Sequence, residues 1–234
     1  MLESRNLTKK YVSVTAVNDV SMTLEDGQIY AMLGPNGSGK TTWMKMAAGL
    51  VKPTAGSVLL NGEPINIASR SKIAYMSTEP YFYNWMSAKD AGRYYADFFA
   101  DFSFEKYAST LKDMDLDING KIRSFSSGMT AKLKIALTLA RDAQVYMLDE
   151  PFNGIDLLAR DEIRTSILSA AKNDKILLMS SHLVEEMEAI ATSAVFIRKG
   201  NLIEFVSLND LREKQGVSMA DKYREIFGHA EVSA

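Results

Sequence analysis

Three stretches of the sequence carry residue types in an order that could do chemistry on a phosphate. The first is Gly34-Pro35-Asn36-Gly37-Ser38-Gly39-Lys40-Thr41, followed by Thr42, and it fits the G-x-x-x-x-G-K-[ST] pattern. Its glycines let the backbone curl until successive N–H groups point at phosphate oxygens. A helix starting there adds unpaired N–H donors and a positive dipole end. Lys40 supplies a mobile charge for the outer phosphates, and the Thr41 hydroxyl can ligate Mg²⁺. The second stretch is Val145-Tyr146-Met147-Leu148-Asp149-Glu150-Pro151. Four apolar residues ending in two carboxylates set Asp149 and Glu150 at the carboxyl end of a buried strand, the edge where open α/β sheets bind ligands. There Asp149 can hold Mg²⁺ directly or through water, and Glu150 can polarise an attacking water as a general base. The third stretch is Ser124-Phe125-Ser126-Ser127-Gly128-Met129. A serine–glycine turn before a helix is again an anion site, although an ordinary helix cap explains it equally well when taken alone. Together the three point to a nucleoside triphosphate, one face of it read by a second phosphate-binding helix start, in trans.

Those groups need strands ahead of them and helices behind. Ile29–Leu33 reads as a buried strand entering the first loop, and Thr41–Ala48 as the helix leaving it. Leu2–Leu7, Val17–Leu24 and Ser57–Leu60 read as further strands. Lys72–Met76, Val145–Leu148, Lys175–Met179 and Ala194–Ile197 complete a parallel core. Between about 80 and 130, acidic and aromatic residues at helical spacing replace the β-branched runs, as an inserted helical subdomain would. Two short helices, around Leu208–Glu213 and Met219–Phe227, close the chain. The expected layout is therefore a single α/β unit. Its catalytic core spans about 1–80 and 130–206, the helical subdomain about 81–129, and the terminal helices about 207–234.

Composition narrows the class. An apolar share of 47% in 234 residues supports a substantial core. With 27 basic against 29 acidic residues the net charge is −2, and no basic run resembles a nucleic-acid footprint, so no nucleic-acid partner is expected. The absence of cysteine removes disulfides and thiolate metal sites. No stretch approaches the roughly 20 apolar residues that span a bilayer, and the amino terminus lacks an apolar signal core. A membrane role would have to come through a partner.

In this order the motifs resemble the nucleotide-binding subunit of an ATP-binding cassette transporter, over nearly the whole chain. Gly34–Thr41 is similar to the family's Walker A loop, and Val145–Glu150 to its Walker B strand with the catalytic glutamate. Phe125–Met129 stands where the family has its leucine-serine-glycine-glycine-glutamine signature. Asn153-Gly154-Ile155-Asp156 resembles the loop crossing the dimer interface, and His182 the switch histidine. Tyr11 stands where the family stacks an aromatic ring on adenine. Taken alone, Tyr11 reads as a packing residue and His182 as a satisfied core histidine; beside both Walker elements the functional readings take over. The resemblance implies a P-loop NTPase: a RecA-like parallel-sheet core, an antiparallel β part and an inserted α-helical subdomain. It implies two subunits, alike or different, enclosing two ATP with Mg²⁺. Each nucleotide would lie between one subunit's Walker loops and the other's Ser126, Ser127, Gly128 and Met129. It also implies ATP hydrolysis driving a separately encoded transmembrane permease, at the cytoplasmic face of the cell membrane, in a bacterial exporter. The alternative is an ATP-dependent switch of the same family acting on a non-membrane partner. Such proteins usually carry two fused cassettes or a long coiled coil, and this chain has one cassette and no heptad run.

Two departures from the family pattern stand out. Thr78 occupies the place of a glutamine that meets the metal, with Glu79 beside it as a possible substitute. Ser127 replaces a glycine and Met129 a glutamine, and a Cβ at Ser127 crowds a loop that must approach phosphate. The segment from Tyr81 to Tyr107 holds half of the chain's aromatic residues. Tyr95, Phe99 and Phe102 are expected in the helical core. Tyr81, Phe82, Tyr83 and Trp85 are expected to line a groove that receives a permease helix.

Overall fold

The computed structural model describes residues 1–228 apart from Pro80, Lys172 and Asn173, and apart from the side chain of Leu158. His229, read from the sequence as a solvated tail residue, lies outside the described residues. In chain order the first elements are β1 (Leu2–Tyr11), β2 (Val14–Leu24), β3 (Ile29–Leu33) and helix α1 (Lys40–Ala47). Then come β4 (Ala55–Leu60), β5 (Glu63–Pro64), α2 (Ile67–Arg70) and β6 (Ile73–Met76). The helices α3 (Ala88–Phe98), α4 (Phe104–Asp113) and α5 (Ser127–Leu139) follow. β7 (Val145–Asp149), α6 (Leu157–Ala170), β8 (Ile176–Ser181), α7 (Val184–Glu188) and β9 (Ser193–Arg198) return to the core. β10 (Asn201–Ser207), α8 (Leu208–Asp210) and α9 (Met219–Phe227) end the described chain.

Six strands form one sheet in the order β10-β9-β3-β8-β7-β6, parallel except for the β9–β10 hairpin. Its inner strands are buried on both faces, which is why they read as unbroken apolar runs. Successive side chains alternate between two cores. In β3, Ile29, Ala31 and Leu33 join the cluster under α6 and α9, while Tyr30 and Met32 join the cluster around α1. A second, antiparallel sheet in the order β2-β1-β4-β5 covers that α1 cluster. Leu2, Leu7, Val20 and Leu24 point inward from it.

The region of altered texture is helical, with its own small core around Ala91, Tyr107 and Leu111. α5 serves two cores at once. Leu133, Ala136 and Leu137 face the helical cluster, while Ile135 and Leu139 face the parallel sheet. Position 129, the expected edge of the helical part, therefore falls inside a continuous helix that joins the two. Tyr95 and Phe102 pack against the helical core. Phe82 does too, so it is not free for docking, and the Tyr81 hydroxyl is bonded to that of Tyr95 at 2.9 Å. Of the four docking residues expected, Tyr83 and Trp85 are the most open, at 57% and 64% exposed against 40% for Tyr81, and their rings stack at 6.0 Å between centroids.

The hairpin strand β10 was not expected. Lys199 (φ +48°) and Gly200 (φ +81°) make a tight left-handed turn that folds Asn201–Ser207 back on β9. As an edge strand it keeps Ile203 and Phe205 partly exposed, so its apolar signal is diluted by polar neighbours.

Candidate active site

The phosphate loop runs from the end of β3 into α1, and its glycines are fixed by what surrounds them. Gly39, the residue ahead of α1, has φ +110°, and a Cβ there would lie 2.3 Å from the Ala16 carbonyl oxygen. At Gly34 a Cβ would lie 2.2 Å from the Ile197 carbonyl oxygen. No other residue allows so close an approach of backbones. The loop is also tied to the unforeseen hairpin, because the Gly200 N–H donates to the Ser38 carbonyl at 2.8 Å.

The Lys40 ammonium sits inside the loop, 6% exposed. It donates to the carbonyls of Gly34 (2.7 Å) and Pro35 (3.3 Å) and lies 3.7 Å from Glu150 Oε1. Burial pulls its pKa down, against the charges of Glu150 and Asp149. Asp149 is fully buried at the carboxyl end of β7 and gathers three hydroxyls. Thr41 Oγ1 (3.1 Å) and Ser180 Oγ (2.5 Å) donate to Oδ1, and the Tyr75 hydroxyl (3.1 Å) donates to Oδ2. Burial first, and Asp149's charge next, push the Tyr75 pKa far up, which keeps it a donor.

Glu150 adopts φ +52°, a left-handed backbone that costs a non-glycine residue of order 1–3 kcal/mol. Ser180 holds it there, since the Glu150 N–H donates to both the Ser180 carbonyl (3.2 Å) and its Oγ (3.0 Å). The carboxylate is thereby aimed at the loop. Its Oε2 lies 2.9 Å from His182 Nδ1, so the histidine is neither a core residue nor alone at the rim. Ser180 and Tyr75 are the functional residues that sequence reading passed over. Both are polar residues near the carboxyl ends of core strands, and Ser180 pairs in register with Asp149.

A cavity of about 680 Å³ opens over the loop. Asn36 to Thr42 form its floor; Tyr11, Thr78, Glu150, Asn153, His182 and Lys199 stand around it. Gly34 and Pro35 contribute through the carbonyls that hold Lys40, behind that floor. Ser38 Oγ is buried without a hydrogen-bond partner among the described residues, so the floor fits a ligand rich in acceptor oxygens. One carboxylate with a threonine hydroxyl is a hard oxygen set that fits Mg²⁺ sharing phosphate and water ligands.

The remaining residues separate by place. Thr78 lies at the cavity wall, whereas Glu79 points outward to Lys45 at 3.1 Å and is 72% exposed. That pairing takes it away from the metal position, so the substitute role expected for it is not met. Ser126 caps α5 by accepting the Met129 N–H (3.2 Å), and the Met129 side chain packs on the helical core. The Ser127 hydroxyl donates to the Gly154 carbonyl at 3.1 Å. Ser127 thus binds the 153–156 loop of its own chain. Gly128 lies against the same loop, and Asp156 caps α6 by accepting the Ala159 N–H. None of Ser126, Ser127, Gly128, Met129 or Asp156 lines the large cavity.

A glycine-rich loop between a central parallel strand and a helix, with an aspartate–glutamate pair at the carboxyl end of the next strand but one in the same sheet, defines a P-loop nucleoside triphosphatase. The chain belongs to the ABC transporter family, whose model matches residues 17–153, and it is an ATPase of that family. It is similar to the lantibiotic transport ATP-binding protein SrtF of Streptococcus pyogenes, 34% identical over 205 residues that cover 87% of this chain and 89% of that one. It is similar to the bacitracin transport ATP-binding protein BcrA of Enterococcus faecalis, 32% identical over 220 residues, 92% of this chain and 71% of the other. A solved structure of an ATP-binding subunit of an ABC transporter matches with a TM-score of 0.85 at 26% identity, covering 97% of this chain and 99% of that one.

Proposed function

We propose that this chain is the ATP-hydrolysing subunit of a bacterial exporter. It pairs with a second such subunit around two ATP and powers a separately encoded permease from the cytoplasmic face of the membrane. The observation that carries the reading is the convergence on Glu150. One carboxylate oxygen faces the Lys40 ammonium and the other faces His182, at the rim of a cavity with the phosphate loop as its floor. Tyr11, 45% exposed at the end of β1, offers a ring to the adenine. The loop N–H groups and Lys40 hold the phosphates. Mg²⁺, when bound, neutralises phosphate charge, and Thr41 Oγ1 and Asp149 Oδ1 would hold it, with Thr78 at the edge. Glu150 takes the proton of the water whose oxygen bonds to the terminal phosphorus as the bond to ADP breaks, and His182 fixes the carboxylate for that transfer. Ser126 to Met129 do not line the phosphate-loop cavity of their own chain, and their role in this reading is to meet a second subunit's nucleotide. The names of SrtF and BcrA, which concern lantibiotic transport and bacitracin transport, support a role in transport.

The test is ATP binding and phosphate release by two variants. Glu150→Gln keeps shape and hydrogen bonding without the base, so it should bind ATP, accumulate as dimer and turn over about 10²-fold more slowly or worse. Lys40→Ala should lose ATP binding itself. Normal turnover by Glu150→Gln would remove the base and with it the proposed site.

A further inference from the structure

Lys134 stands in the middle of α5 with only 6% of its surface exposed, between the buried Leu133 and Ile135. A buried ammonium has three donors and no acceptor, and it costs stability unless those donors are used. Two are spent on one stretch of chain, the carbonyls of Ser77 (3.0 Å) and Thr78 (2.8 Å). The charge also lies 5.6 Å from the centre of the Tyr81 ring. Burial lowers its pKa and Glu79 opposes the shift. Ser77 and Thr78 follow β6 without regular structure, so the ammonium supplies partners that a sheet or helix would otherwise provide. Among the described residues of that loop, Thr78 reaches the nucleotide cavity. About two turns earlier on the same helix, Ser127 holds the Gly154 carbonyl. One rigid helix therefore grips both loops at the edge of the site, through one hydroxyl and one ammonium.

We propose that Lys134 is a positioning residue of the ATPase reaction, fixing Thr78 at the cavity wall from the helix that begins with Ser127. This rests on the nucleotide site proposed above. Holding the Thr78 carbonyl fixes where its side chain stands at the cavity wall. The effect belongs to turnover, because the loop N–H groups and Lys40, which hold the phosphates, lie elsewhere.

Lys134→Met keeps the apolar stem and removes the ammonium. Its kcat should fall about tenfold, as expected when a reacting geometry loosens, while the KM for ATP stays within about twofold. The sequence has no cysteine, so Lys134→Cys can be alkylated in denaturant with 2-bromoethylamine and refolded, restoring an ammonium at nearly the same reach. That product should recover most of the kcat, which a merely structural role would not require. Thermal unfolding of each form shows whether it is folded. An unchanged kcat in Lys134→Met, equal losses in kcat and ATP affinity, or a folded alkylated protein that stays slow would each overturn the proposal. Glu150→Gln is run beside them: if it turns over normally the nucleotide site is misplaced, and if it is inactive while Lys134→Met is normal only the tether fails.

Discussion

Thr78 and Glu79 are neighbours in sequence with opposite fates. Thr78 stands at the cavity wall with its carbonyl held by Lys134, while Glu79 is drawn outward by Lys45. An exposed pair of that kind contributes on the order of 0.2–1 kcal/mol and nothing to catalysis. Glu79→Ala should leave ATPase activity within about twofold of the unaltered subunit. Thr78→Gln should lower the Mg²⁺ concentration at half-maximal rate, because a longer side chain carries an oxygen toward Thr41 and Asp149. Mg²⁺ titrations of steady-state phosphate release check both, and a larger loss from Glu79→Ala than from Thr78→Gln would reverse the assignment. Glu150 shows the same economy: its strained backbone is held by two bonds to Ser180, so the direction of the carboxylate is set before any ligand arrives.

Among the elements, the phosphate loop depends on parts distant in sequence. β2 supplies the Ala16 carbonyl beside Gly39, β9 the Ile197 carbonyl beside Gly34, and the β9–β10 turn the N–H on Ser38. Gly39→Ala forces a Cβ to within 2.3 Å of a carbonyl oxygen at φ +110°. It should cost about 2 kcal/mol or more, and thermal unfolding should come about 4–8 °C lower. The same substitution at Gly37, where a Cβ meets nothing within 4 Å, carries only the penalty of φ +75° and should cost less. Calorimetry on the pair separates crowding from backbone strain. Equal midpoints would mean that the loop moves away from β2 at little cost.

At the scale of the molecule, the helical part presents a strip of exposed aromatics. Tyr83 and Trp85 stack on each other, and Tyr94 and Phe98 pair at 4.7 Å on α3 with 43% and 67% of their surfaces open. Aromatic residues left in water beside polar neighbours fit a partner surface. Under the proposed function that partner is a cytoplasmic helix of the permease. Phe82 is committed to the core, so the informative change is Tyr83→Ser with Trp85→Ser. That double variant should fold and bind ATP as before but fail to co-purify with the permease. An intact complex would move the docking site elsewhere.

The sequence by itself determined the chemistry and the order of the parts. Lys40 and Thr41 were legible because they close a glycine-rich loop between an apolar strand and a helix, and Asp149 and Glu150 because they end an unbroken apolar strand; local patterns of that kind survive folding. The helical texture between about 80 and 130 was legible for the same reason. Only the tertiary structure decided the pairings made across long stretches of chain. Ser180 supports Glu150 and Asp149 from a neighbouring strand, Ser127 turns its hydroxyl to Gly154, and Lys134 turns inward to Ser77 and Thr78. Phe82 is covered while Trp85 is left exposed. A hydroxyl, an ammonium or an aromatic ring has several possible partners in sequence. Which one it finds depends on which backbones the packed sheets and helices bring within about 3 Å, the range of a hydrogen bond.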